Sequence, residues 1–165
     1  MHTMTDTTTE KLKFKLELWA TYWDLPPVAE ILINNESYFK SEITGTEDKP
    51  TFIEFERELT EGEEYKLQIK RSNKVKGQSV VEDGKIIKDQ LLHIKSIEID
   101  EIDIGALVYE GVYTPEYPEP WATQQRQAGN ELPVSFKNVT NMGHNGVWEL
   151  KFDSPFYMWL LENLY

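Results

Sequence analysis

The sequence predicts an all-β chain: a jelly-roll-like antiparallel β-sandwich with a Pro-rich extended segment and a short C-terminal helix. Three observations carry that prediction. Stretches such as LKFKLELWA and YKLQIKR alternate apolar and polar residues with period two, the mark of half-buried strands. Turn signals separate these stretches at short intervals, above all Asp83-Gly84 between β-branched runs. Nothing in the order of elements reads as a series of βαβ units.

The first eleven residues are polar and Thr-rich, so 1–11 reads as a tail, with His2 inside it. The sandwich is expected over 12–112. In its first strand Leu12, Phe14, Leu16 and Leu18 share one face, and Lys13, Lys15 and Glu17 take the other. WDLPP ends the strand, because Pro26 and Pro27 cannot donate to a ladder and also restrict Leu25. VAEILIN resumes extended structure and NNES turns it back. In TFIEFEREL, Phe52 and Phe55 are out of phase with each other, which predicts a bulge or local twist. After the TEGEE turn, Tyr65, Leu67 and Ile69 point inward. LLHIKSIEIDEIDI reads as one long strand or a pair, its alternation slipping near Ser96-Ile97 at a second bulge.

After Gly105 the texture changes. ALVYEGVY leads into YTPEYPEPWATQQRQAG, and residues 113–145 read as a Pro-rich extended segment with loops. Within it ATQQRQAG forms a short helix ended by Gly129, and NMGHNG is a turn-rich loop. Residues 146–165 return to the core. Trp148, Leu150 and Phe152 point inward, Ser154 caps a helix, and Pro155 takes its first position. Phe156, Trp159, Leu160 and Leu164 then fall at helical spacing. Trp19, Trp148 and Trp159 are expected in the core, with Trp23 and Trp121 open between core and surface.

Composition limits function. The 165 residues carry 29 carboxylates against 17 lysines and arginines, a formal charge of −12, which repels a phosphate backbone and argues against nucleic acid as a partner. Without cysteine there is no disulfide, thiolate metal site or cysteine nucleophile. No apolar run reaches membrane-spanning length, so no membrane partner is expected. The N-terminus lacks an apolar stretch behind basic residues, from which synthesis in the cytoplasm is expected.

No motif for hydrolysis or phosphoryl transfer is present, and no catalytic residue is expected. Of the histidines, His93 lies in a strand, while His144 sits in a Gly-rich loop able to approach a ligand. EIDEIDIG crowds Glu98, Asp100, Glu101 and Asp103, but a strand divides them between two faces, so no metal and no cofactor are expected. Aromatic rings beside prolines and carboxylates, as at Trp23-Asp24 and Trp121, suit either a sugar platform or a protein interface.

Over Leu12 to Ile99 the chain resembles the calcium-dependent xylan-binding modules, which are jelly-roll sandwiches. The likeness lies in the order LKFKLELWA, a Pro-containing break, EILIN, FIEFEREL, TEGEEYKLQI and KDQLLHIKSIEI. The resemblance implies that the last element supplies calcium ligands from an Asp and an acidic residue six positions on. Asp89 matches the first, while Lys95 stands at the second and would repel the ion. The late region, with YTPEYPEPWATQQ and SPFYMWLLENLY, resembles structural proteins of tailed-phage particles in texture.

The leading expectation is a non-catalytic structural or binding protein of a virion. It would dock on partner subunits of a homo- or hetero-oligomer through Tyr113, Tyr117 and Trp121, since prolines lower the entropy lost on ordering. The alternative is a carbohydrate-binding module whose partner is a glycan, cation-assisted or not. Its ligand-binding residues would be Trp23, Asp24, Asp89, Trp121 and His144.

Overall fold

A computed structural model describes residues 8–164. The expected tail lies outside the described residues over 1–7, His2 included, and positions 9–11 belong to the first strand. In chain order the strands are β1 (Thr9–Thr21), β2 (Val28–Ile33), β3 (Glu36–Glu42), β4 (Thr51–Thr60), β5 (Glu64–Ser72), β6 (Val80–Glu82) and β7 (Lys85–Lys88). There follow β8 (Leu91–Ile99), β9 (Ile102–Asp103), a 3₁₀ turn (Gly105–Glu110), β10 (Val112–Pro115), helix α1 (Trp121–Gln127), β11 (Phe136–Lys137), β12 (Asn141–Met142), β13 (Gly146–Asp153) and helix α2 (Phe156–Leu164).

These form an antiparallel sandwich. One sheet has the order β12-β8-β1-β4, with β9 also on β8; the other has the order β11-β10-β13-β5-β2-β3. A separate hairpin, β6-β7, stands outside both. The alternation of β1 decides the inner face: Leu12, Phe14, Leu16 and Leu18 are buried against Ile31, Leu67, Ile69, Trp148 and Phe152 from the other sheet. Phe14 links the layers, stacking on Phe55 at 5.2 Å and tilting against Phe152 at 6.1 Å. Gly111 lets the chain pass flat against Trp148, because a Cβ there would lie 2.2 Å from the indole.

Several expectations need correction. Trp19 is not core. The phase that buries Leu18 and Ala20 turns Trp19 to the outer face, where it stacks on His93 at 3.7 Å. No bulge interrupts β4, whose ladder with β1 is regular from Thr60 to Thr51. Phe52 simply faces out, 58% exposed, with the Lys15 ammonium 5.2 Å from its ring. The slip near Ser96 is a bulge: Ser96 pairs with Glu17 and Ile94 with Leu18, leaving Lys95 unpaired. The acidic EIDEIDIG is a hairpin rather than one strand, since Asp100 and Glu101 both take positive φ at its turn. Asp83-Gly84 likewise turns β6 into β7, at φ 51° and 76°.

The Pro-rich stretch is woven into the sandwich. Residues Val112–Pro115 pair with both β11 and β13, and Trp121–Gln127 is helical, so no free arm leaves the body at Tyr113. In α2, Phe156, Trp159 and Leu160 are buried, whereas Leu164 lies in solvent in the last turn. Ser154 does not cap this helix. The Glu10 carboxylate of β1 accepts the Phe156 N–H at 2.8 Å and also the Ser154 hydroxyl, tying the helix start to the opposite sheet.

Candidate ligand-binding surface

Strand register gathers one set of loops at one end of the sandwich. Thr21 lies opposite Leu91, Val28 opposite Ser72, and Gly146 opposite both Arg71 and Pro115. The ends of β1, β5 and β10 and the starts of β2, β8 and β13 therefore converge, bringing together the loops 22–27, 73–79 and 143–145.

Beneath these loops lies a buried polar network centred on Arg71. Its guanidinium donates to the Gln90 backbone oxygen at 2.6 Å, to Gln90 Oε1 at 2.8 Å and to Asn145 Oδ1 at 3.1 Å. Gln90, fully buried, passes its amide protons to the carbonyls of Leu25 at 2.7 Å and Asn73 at 3.1 Å. Lys74 donates through Nζ to the Gly143 carbonyl at 2.5 Å and pairs with Asp89 at 3.3 Å. A buried charge is tolerated only when its donors are satisfied, and amide oxygens meet much of that need here. Burial lowers Arg71 to about 10 and depresses Lys74 as well, against the pull of Asp89. Burial pushes the Asp89 carboxyl up, but the Ser79 hydroxyl, the Gln90 N–H and Lys74 outweigh it and hold it below the ordinary aspartate value.

Two aromatic groups stand on this base. Trp23 is 45% exposed; its indole N–H donates to the Gln78 carbonyl at 2.9 Å, and the Lys88 ammonium lies 4.5 Å from its ring centre. The buried Gln78 donates to Asp24 Oδ2 at 3.2 Å, fixing that carboxylate beside the indole. The second group joins Tyr117, Trp121 and His144, with ring centroids 5.2–6.1 Å apart. Trp121 is 36% exposed and opens α1. Glu119 Oε1 accepts the Thr123 N–H at 2.9 Å and so secures that helix start. Beside it runs a groove of about 350 Å³ walled by Pro115, Tyr117, Glu119, Arg126, Leu132 and Val134. Burial, with the Lys74 and Arg71 charges behind it, lowers His144 to about 4, so its ring is neutral at pH 7.

The predicted residues thus fall into three places. Trp23 and Asp24 come together at one rim, and Tyr117, Trp121 and His144 at the other. Asp89 lies between and below them, half-buried and engaged by Lys74, Ser79 and Gln90. Tyr113, expected to anchor a partner, is only 3% exposed and faces its own core. Its hydroxyl accepts the His144 N–H at 2.9 Å and donates to the His144 carbonyl, and burial raises it to about 12. Sequence reasoning missed Arg71, Gln78, Gln90 and Asn145. One signal was available, because Arg71 continues the inward series Tyr65, Leu67, Ile69.

The donor set does not fit calcium at Asp89. Its carboxylate already neutralises an ammonium, and the residue six positions on, Lys95, donates to the Glu47 carbonyl at 2.8 Å from the bulge in β8. Among the described residues no group of three or more His, Asp or Glu side chains is placed to hold a metal ion.

No protein-family model matches this chain, and no curated protein matches it. Among solved structures it is similar to the selenomethionine form of vCBM60, described in work on circular permutation linking two families of calcium-dependent carbohydrate-binding modules. The TM-score is 0.48 at 9% identity, over 84% of this chain and 88% of that one. It is also similar to vCBM60 in complex with galactobiose, with TM-score 0.48 and 9% identity, over 83% of this chain and 95% of that one. At that score the likeness carries no argument, and the sandwich rests on the strand pairing itself.

Proposed function

We propose that the chain is a non-catalytic glycan-binding module whose binding surface is the end of the sandwich bearing Trp23, Asp24, Tyr117 and Trp121. One observation carries this reading. Exposed indoles stand with carboxylates at hand, Asp24 next to Trp23 and Glu119 near Trp121; the first pair is fixed through hydrogen bonds with the buried Gln78, and Trp121 by packing on Tyr117 and His144. Sugars offer an apolar C–H face to such rings and hydroxyl protons to such carboxylates. A rigid platform spends little entropy on binding. Asp89 and His144 support the surface from beneath, Asp89 through Lys74 and His144 through the backs of the Tyr117 and Trp121 rings. Cation assistance has no support from the groups around Asp89.

Affinity electrophoresis against neutral and uronate-bearing polysaccharides, with calcium and with chelator, tests the reading. Retardation by at least one glycan, unchanged by chelator, is the expected result. Retardation by none would overturn it.

A further inference from the structure

Each indole of the proposed sugar surface has a cation at its side. At one rim the Lys88 ammonium lies 4.5 Å from the Trp23 ring centre. Pairing within the β6-β7 hairpin leaves Lys88 available for that ring. Lys85 stands opposite Glu82 near the turn, whereas Lys88 stands opposite Val80 at the hairpin base. At the other rim Arg126, in the last turn of α1, walls the groove beside Trp121. The carboxylate on that wall, Glu119, is engaged by Thr123: Oε1 accepts its N–H at 2.9 Å and Oε2 accepts its hydroxyl. Among the described residues neither Lys88 nor Arg126 takes part in an ion pair.

The base beneath the rims is positive too. Arg71 is buried and Lys74 largely so, and the single carboxylate of Asp89 acts on both, which leaves one positive charge over. The chain as a whole carries −12. This end therefore draws anions on a body that otherwise repels them, and walls of low dielectric focus such a field.

We propose, resting on the glycan-binding reading above, that the glycan held at this end is a polyuronate, with Lys88 and Arg126 selecting its carboxylates at the two rims. A neutral sugar that stacks on Trp23 gives up part of the contact between ammonium and ring. A hexuronate carries its carboxylate at the edge of the sugar ring, within reach of a cation beside the indole. It exchanges the cation–π contact for a charge-assisted hydrogen bond. In the groove Arg126 offers a planar fork that matches a carboxylate. Leu132 and Val134, the latter 81% exposed, offer apolar surface to the C–H face of the same sugar. Asp24, held by Gln78 at 3.2 Å, is left to accept a sugar hydroxyl.

Affinity electrophoresis with polygalacturonate, alginate and polyglucuronate, each beside its methyl ester, tests the selection. Esterification keeps the sugar and removes the charge. At least one uronate should be held roughly tenfold more tightly than its ester, and the ratio should shrink in high salt, where charge is screened. Lys88→Gln and Arg126→Gln should each cut that ratio by roughly threefold or more, as loss of a rim ion pair does. Lys151→Gln, towards the α2 end of β13, should leave it at the wild-type value. All three side chains are exposed, and circular dichroism checks that each variant is folded. Equal retention of uronate and ester overturns the proposal while leaving the binding surface in place, as does retention of neutral glycans alone. So does a ratio untouched in both rim variants, or dextran sulfate held as tightly as the uronate, the mark of a general polyanion surface. Retention of neither charged nor neutral glycans overturns the surface itself as well.

Discussion

The two ends of the sandwich are closed by different physics. At the polar end, loops from both sheets converge on Arg71, Gln90 and Asn145, and hydrogen bonds to a buried charge hold them. At the far end, tight turns and α2 close the core with Phe156, Trp159 and Leu160, and one carboxylate, Glu10, fastens the helix start. Apolar packing is undirected, and it tolerates small shifts so long as volume is filled. A hydrogen-bonded network fixes direction as well as distance. Only the polar end, then, is built to hold exposed rings and carboxylates at set positions.

Truncation at each end should separate these roles. Phe156→Ala removes a fully buried ring and should cost about 3–5 kcal/mol by chemical denaturation. The variant that remains folded should still bind glycan. Arg71→Ala should cost about 3 kcal/mol, because it strands the Gln90 and Asn145 oxygens that the guanidinium now satisfies. Unlike Phe156→Ala it should also abolish glycan retardation, since loops 22–27 and 143–145 lose their common anchor.

Acid should weaken the two ends unequally. Unfolded, His144 titrates near the ordinary histidine value of 6.5; folded, it titrates near 4. Between those values only the unfolded state takes the proton. The contribution is therefore complete above about pH 6.5, falls with pH, and is gone below about pH 4. Allowing for solvent at this half-buried ring, it amounts to about 1–2 kcal/mol. Comparing denaturation midpoints of wild type and His144→Gln across that range should show a steeper acid loss in the wild type. Parallel curves would contradict the histidine's role.

At the other end the smallest effect is expected from Glu10→Gln. It keeps an acceptor for Phe156 N–H but loses the carboxylate charge, and should lower stability by about 1 kcal/mol with no change in ligand binding.

Much of the fold could be read from the sequence, because period-two burial acts residue by residue. Tyr65, Leu67 and Ile69 are inside as their phase requires, and Asp83-Gly84 turns its hairpin. Residue type misled where it was set above phase. Trp19 and Phe52 are large and apolar, yet their positions in β1 and β4 turn them outward, against His93 and Lys15 respectively. The candidate site was legible only at its rim. Trp23, Asp24, Trp121 and His144 stand out beside prolines and glycines, but the network under them joins residues far apart in the chain. Arg71 and Asn145 are 74 positions apart, and nothing local marks them as partners. Prolines were also a poor guide to an arm, because the strand Val112–Pro115 and the helix after it fold the segment back on its own body.

Isothermal titration of the best-retained glycan into wild type, Trp23→Ala, Trp121→Ala and the Met158→Asp/Leu161→Asp helix variant tests most directly whether the polar end is the binding surface. Each indole variant should lose roughly tenfold or more in affinity with its fold intact, as truncation of a stacking anchor does. The helix variant should bind like the wild type. Wild-type affinity in both indole variants, or a loss confined to the helix variant, would contradict the assignment.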